Sequence, residues 1–133
     1  MGVSCVKYAA VSAFVATIIS HSSSISAPQE LSASDIPDII ITYYENESKF
    51  KHDYLGNTFI SAMFFDNIGG EVFGGGYFVG FDGIDESAGL TCIFYEALPE
   101  EVIDWESGKP VYLTGVVYKV VLATLYLERC KFQ

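Results

Sequence analysis

The sequence predicts an all-β fold, a five-stranded β-barrel with accessory helices, from three observations. Five stretches rich in Val, Ile, Phe, Tyr and Thr follow residue 57, most of them separated by turn residues. A short helical signal falls between the third and fourth stretches, and a longer one precedes the first. The 133 residues, 50% hydrophobic and 15% aromatic, suit one packed core and are too apolar for a disordered chain.

The first 26 residues are expected to lie outside that core. Lys7 is the only charge ahead of an apolar stretch of twelve residues from Tyr8 to Ile19, and HSSSIS leads to Ala27, the pattern of an export signal cut after Ser26. A retained membrane helix needs about 20 apolar residues. Cys5 precedes the apolar stretch, which is not where a lipid-modified cysteine would stand. The mature chain is therefore expected to be periplasmic or secreted with no stable membrane anchor. Residues 27–34, APQELSAS, read as a linker, and residues 35–133 as a single domain.

Ser34 and Asp35 make a helix start, with Pro37 suited to the first turn. Ile36, Ile40, Tyr43, Tyr44, Glu47 and Phe50 follow at a spacing that mostly fits a helix buried on one side, against the β-branched run Ile39 to Thr42. The strands are expected at 58–65, 76–82, 90–96, 110–120 and 124–130. In the first, Phe59, Ser61 and Met63 alternate with Ile60, Ala62 and Phe64, so both faces carry apolar groups, as in a small barrel covered on its outside. The intervening helix has Pro99 at its start, Glu100 and Glu101 where the helix dipole favours negative charge, and Gly108 past its end. Leu98, Val102 and Trp105 share one of its faces. Three strands, a helix and two strands is the order of the OB-fold, a five-stranded, partly open Greek-key barrel.

Several segments resemble the tRNA_anti-like family of small, often exported OB-fold domains. They are Tyr44, Asn46 and Glu47 in YYENES, then YLGN at 54–57, LTCIFYE with Cys92, WESGKPVYLTGVV at 105–117, and LYLERC with Cys130. The resemblance spans roughly residues 38 to 130. It implies the barrel; the family takes its name from nucleic-acid-binding relatives of the fold, and the resemblance brings no catalytic residue and no ligand with it.

Charge restricts the partners. The formal net charge is −10, and beyond residue 26 the chain keeps 17 acids against six Lys plus Arg, with Arg129 its single arginine. Nucleic-acid phosphates must be met by Lys and Arg that displace counterions, so nucleic acid is an unlikely partner. His52 is the only histidine left after cleavage, and no local motif ties a serine or cysteine to it. Asp82, Asp85 and Glu86 lack the spacing of a Ca²⁺ loop, and Glu100 and Asp104 read as a solvated helix face. No enzyme activity, cofactor or metal is expected.

The run GGEVFGGGYFVGFDG, residues 69–83, misses the third glycine of a dinucleotide fingerprint and leads into a strand where a helix would be needed. It reads instead as the connection from the first strand to a bent second strand, with Gly80 and Gly83 relieving crowding. That connection borders the usual OB binding face, which makes Val72, Phe73, Tyr77 and Tyr95 candidate ligand- or partner-binding residues, with core packing the plainer reading. Cys92 and Cys130 are an even pair in an oxidising compartment, on strands that lie side by side in an OB barrel, and are expected to form a disulfide; two buried thiols are the alternative. The expected function is an exported non-enzymatic OB-fold module for an unknown protein or small ligand. The alternative is a secreted oligosaccharide- or receptor-binding subunit of a ring-forming oligomer.

Overall fold

The computed structural model describes residues 30–70, 75–83 and 89–133. The expected signal segment, the start of the linker, and Val72 and Phe73 lie outside the described residues. Two helices, α1 (Ile36–Glu45) and α2 (Glu47–Asp53), precede five strands. These are β1 (Thr58–Gly70), β2 (Tyr77–Asp82), β3 (Gly89–Phe94), β4 (Pro110–Val121) and β5 (Thr124–Phe132). They close into a barrel in the order β1-β2-β3-β5-β4, with the β3–β5 pair parallel and the others antiparallel, which is the OB arrangement.

The long first strand makes closure possible. Its first half pairs with β4, from Thr58 opposite Val116 to Phe64 opposite Pro110, and its second half pairs with β2, from Phe64 opposite Asp82 to Gly70 opposite Tyr77. A bulge between Phe65 and Asn67 bends it between the two partners. The strand therefore runs past the expected end, and Gly69 and Gly70 are ladder residues instead of part of a connection. A methyl group at Gly69 would come within 2.5 Å of the Phe78 ring, and one at Gly80 within 2.5 Å of Asn67 Oδ1. Each glycine thus receives a side chain from the neighbouring strand.

Inward positions build the core from Phe59, Met63, Phe65, Val79, Phe81, Leu90, Cys92, Val111, Leu113, Val117, Leu125 and Leu127, all buried. Because β2 begins pairing only at Phe64, the first half of β1 has a second edge to satisfy. Leu31 takes it: its amide donates to the Thr58 carbonyl at 2.9 Å, its carbonyl accepts from Ile60 at 2.8 Å, and its side chain is 1% exposed. The linker expectation is corrected there, since residues 31–34 belong to the fold. A 3-10 turn, Ala33–Asp35, follows, and the Ala33 amide donates to Ser61 Oγ at 3.1 Å.

The single expected N-terminal helix is two. Asn46 is extended (φ −159, ψ 92), and its side chain caps α2 by accepting from the Lys49 amide at 3.1 Å. The break turns Phe50 into the core alongside Ile36 and Ile39, while Ile40 is only partly buried. The helix expected before β4 is a five-residue 3-10 segment, Glu100–Asp104. Its three apolar anchors still pack as expected, with Val102 buried and Leu98 and Trp105 against the core. The Tyr44 hydroxyl, on α1, meets the Ala123 amide at 3.0 Å, pinning the helix to the β4–β5 turn.

Two bulges shape the C-terminal hairpin. Thr114 pairs with Lys131 and Val116 with Glu128, so Gly115 on β4 faces both Arg129 and Cys130 on β5. Arg129 takes the left-handed conformation (φ 55) as the extra residue, which returns Cys130 to the interior. The expected disulfide, Cys92–Cys130, forms there, with Cα atoms 6.1 Å apart and both residues buried. The second bulge makes Tyr118 the extra residue, between Val117 opposite Leu127 and Lys119 opposite Tyr126.

Candidate functional site: the outer face of the barrel

With Val79, Cys92 and Leu127 inside, their neighbours face outward in rows set by the ladders. One row runs Asn67, Gly80, Thr91, Tyr126, Lys119 across β1, β2, β3, β5 and β4. The next begins Gly69, Phe78, Ile93. Ile93 is 3% exposed although it faces outward and stands apart from the barrel's main core cluster. This side of the sheet therefore carries its own small packed layer.

The bulges add to that layer in a way simple alternation does not. An extra residue on a strand lets two consecutive side chains face the same side. Tyr118 and Lys119 form one such outward pair, and Glu128 and Arg129 the other. Lys119 Nζ stands 5.2 Å from the Tyr118 ring centroid and 5.6 Å from that of Tyr126, distances at which an ammonium is attracted to aromatic rings. Arg129 lies 3.7 Å from the Glu128 carboxylate, whose side chain is 25% exposed.

Tyr95, just past β3, joins this group. Its residue is well exposed, yet its phenol pKa is pushed up to about 12, first by lost hydration, then by hydrogen bonding and charge at Tyr118 and Glu128. The two facts agree if the ring edge is open while the hydroxyl turns toward those two groups. A raised phenol pKa means that the folded state holds the proton more tightly than the unfolded chain does. Its contribution is present below the unfolded value near 10 and is lost as pH rises through about 12. A tyrosinate absorbance titration is expected to resolve one late-ionising phenol, and Tyr118→Phe is expected to move it back toward 10. Titration of every accessible tyrosine together, in the wild type, would contradict this geometry.

Of the expected site residues, Val72 and Phe73 are outside the described segments. Tyr77 is 40% exposed at the start of β2, opposite Gly70 and Phe94, in the register of the inward positions at the barrel mouth. Tyr95 engages the outer side, so the two tyrosines do not share one surface. Tyr118, Lys119, Tyr126 and Glu128 were not anticipated from the sequence: Tyr126 and Glu128 alternate with buried Leu125 and Leu127, but the bulge that adds Tyr118 to their side leaves no trace there. His52 is exposed on α2 with Nδ1 2.8 Å from Asp53 Oδ1. Among the described residues, no group of three or more His, Cys, Asp or Glu side chains is arranged to hold a metal ion, and no helix is long and apolar enough to cross a membrane.

No protein-family model and no curated protein matches the chain. Among solved structures it is similar to a "putative nucleic acid-binding lipoprotein" from Klebsiella pneumoniae subsp. pneumoniae, with a TM-score of 0.54 and 20% sequence identity over 84% of this chain and 96% of that one. At that identity the likeness is one of fold, and it agrees with the five-stranded OB-type barrel described above.

Proposed function

We propose that this protein is an exported, non-enzymatic OB-fold binding module of the tRNA_anti-like family, whose partner rests on the outer face of β3, β5 and β4. One observation carries the reading: the β4 bulge at Tyr118, the alternation of β5 and the β3 terminus gather Tyr95, Tyr118, Tyr126, Lys119 and Glu128 on one side of the barrel. Tyrosines offer broad amphipathic contact at small entropic cost, which suits recognition. The face shares only β3 with the strand 2–3 surface on which OB barrels commonly bind, so the reading rests on the tyrosines themselves.

The Klebsiella protein is named for nucleic-acid binding. For this chain a protein or uncharged ligand is the better reading, because acids outnumber bases 17 to 7 and Lys49, Lys51 and Arg129 already lie beside carboxylates. Fluorescence anisotropy with single- and double-stranded oligonucleotides at low salt is expected to show no binding. Native mass spectrometry of protein purified from its host is expected to reveal a bound species that Tyr95→Ala combined with Tyr126→Ala loses. Salt-sensitive oligonucleotide binding, or a species retained by that double variant, would overturn the assignment.

An oligomeric subunit is the second reading. It is favoured by exposed Ile41, Tyr44 and Leu122 around the Tyr44–Ala123 contact, with Leu122 83% exposed. A monomer in light scattering at working concentration would remove it.

A further inference from the structure

We propose that the groove beside Trp105 binds the Lys or Arg side chain of a basic polypeptide, and that Lys109 stands in for that cation in the free protein. The groove is an open depression of about 370 Å³ lined by Asp104, Trp105, Glu106, Ser107 and Lys109. It is independent of the tyrosine face.

Packing and the backbone hold the groove in shape. Trp105 meets Phe65 and Phe132 edge-on, with ring centroids 5.5 and 5.2 Å away, so the indole is fixed from the barrel side and lines the groove with its remaining surface. The rim is a tight turn in which the Lys109 amide donates to the Glu106 carbonyl at 3.0 Å. Gly108 supplies the φ of +94 that the turn needs. Two further bonds tie the turn to β1: the Gly108 amide to the Phe65 carbonyl at 2.7 Å, and the Phe65 amide to the Lys109 carbonyl at 2.8 Å.

Charge complementarity selects the guest. Between Glu96 and Lys109 the chain places five carboxylates against one ammonium, and Asp104 and Glu106 flank the indole in the groove. An anion would be repelled, and a neutral side chain would gain only the ring. A cation gains the ring and both carboxylates. Lys109 Nζ already lies 6.0 Å from the indole centroid, at the outer limit of this attraction, so an entering cation must displace it.

Trp105 is the chain's only tryptophan, so its fluorescence reports this groove alone. The whole protein is titrated with N-acetyl-lysine amide, N-acetyl-arginine amide, the uncharged norleucine analogue, and a lysine-rich peptide. The cationic probes are expected to give a saturable change, with the peptide binding more tightly than the single residues and affinity falling several-fold between roughly 50 and 500 mM salt. Asp104→Asn with Glu106→Gln is expected to weaken binding about tenfold, and Lys109→Ala to strengthen it several-fold, because removing the internal cation frees the groove. A norleucine response equal to that of lysine, no saturable response, or no gain from Lys109→Ala would overturn the cation site. Equal affinity for peptide and single residue would overturn a polypeptide as its guest.

Discussion

Replacing Cys92 and Cys130 together by alanine is expected to cost about 4 kcal/mol of stability, the chain-entropy value for a crosslink closing 38 residues. For a domain of this size that lowers the melting temperature by on the order of 20 °C. The location makes the loss consequential. The β3–β5 ladder contains only three pairs, Leu90 with Leu125, Thr91 with Tyr126 and Cys92 with Leu127. Beyond Leu127 the disulfide is the covalent continuation of that short seam. Urea denaturation of the oxidised wild type and the double variant measures the difference, and removing both cysteines avoids a stray thiol. A difference below about 1 kcal/mol would mean that packing alone holds the seam and that the crosslink adds little.

Leu31→Ala is expected to destabilise by about 2–4 kcal/mol, as a fully buried leucine at a packed site does. Leu55→Ala, at a position 41% exposed, is the control and should stay within about 0.5 kcal/mol. A linker residue would behave like Leu55, so this pair separates the two descriptions of residues 31–34. Hydrogen exchange adds a local signature. The Ile60 amide, which donates to the Leu31 carbonyl, should lose protection ahead of the β1–β4 ladder amides. Unchanged Ile60 protection together with unchanged stability would show that the strap is dispensable.

Much of the barrel was legible because its strands carry the composition that strands require. β-branched and aromatic residues, turn residues between them, and a helical signal after the third strand lead to the observed strand order. The cysteine pairing followed from that order. Leu31 was not legible, since one leucine in APQELSAS has no periodic companion and its burial depends on an edge that β1 exposes only in three dimensions. Asn46 was read as part of a helix because its neighbours keep the helical spacing, whereas an asparagine side chain caps a new helix as readily as it interrupts an old one.

The tyrosine face was hidden for a different reason. Alternation tells which residues share a side only until a bulge occurs, and β4 and β5 contain two. Tyr118 next to Lys119, and Glu128 next to Arg129, look in sequence like residues on opposite sides. The glycine run was half legible: Gly80 was identified with close approach, but the side chains that fill Gly69 and Gly80, Phe78 and Asn67, come from partner strands that only the register identifies.

The hydroxyl of Tyr44 and the amide of Ala123 are 79 residues apart in the chain. Their contact sets an order of events. Neither the docking site of α1 nor the free edge of β1 that receives Leu31 exists until the barrel strands have paired, and contacts this distant in sequence form slowly. The N-terminal segment, made first, must therefore wait for the last hairpin before it can dock. Pulse-labelling during refolding would record this as late protection of the Ala123 and Ile60 amides, after the β1–β4 ladder. Simultaneous protection of all of them would place the helices within the folding nucleus instead.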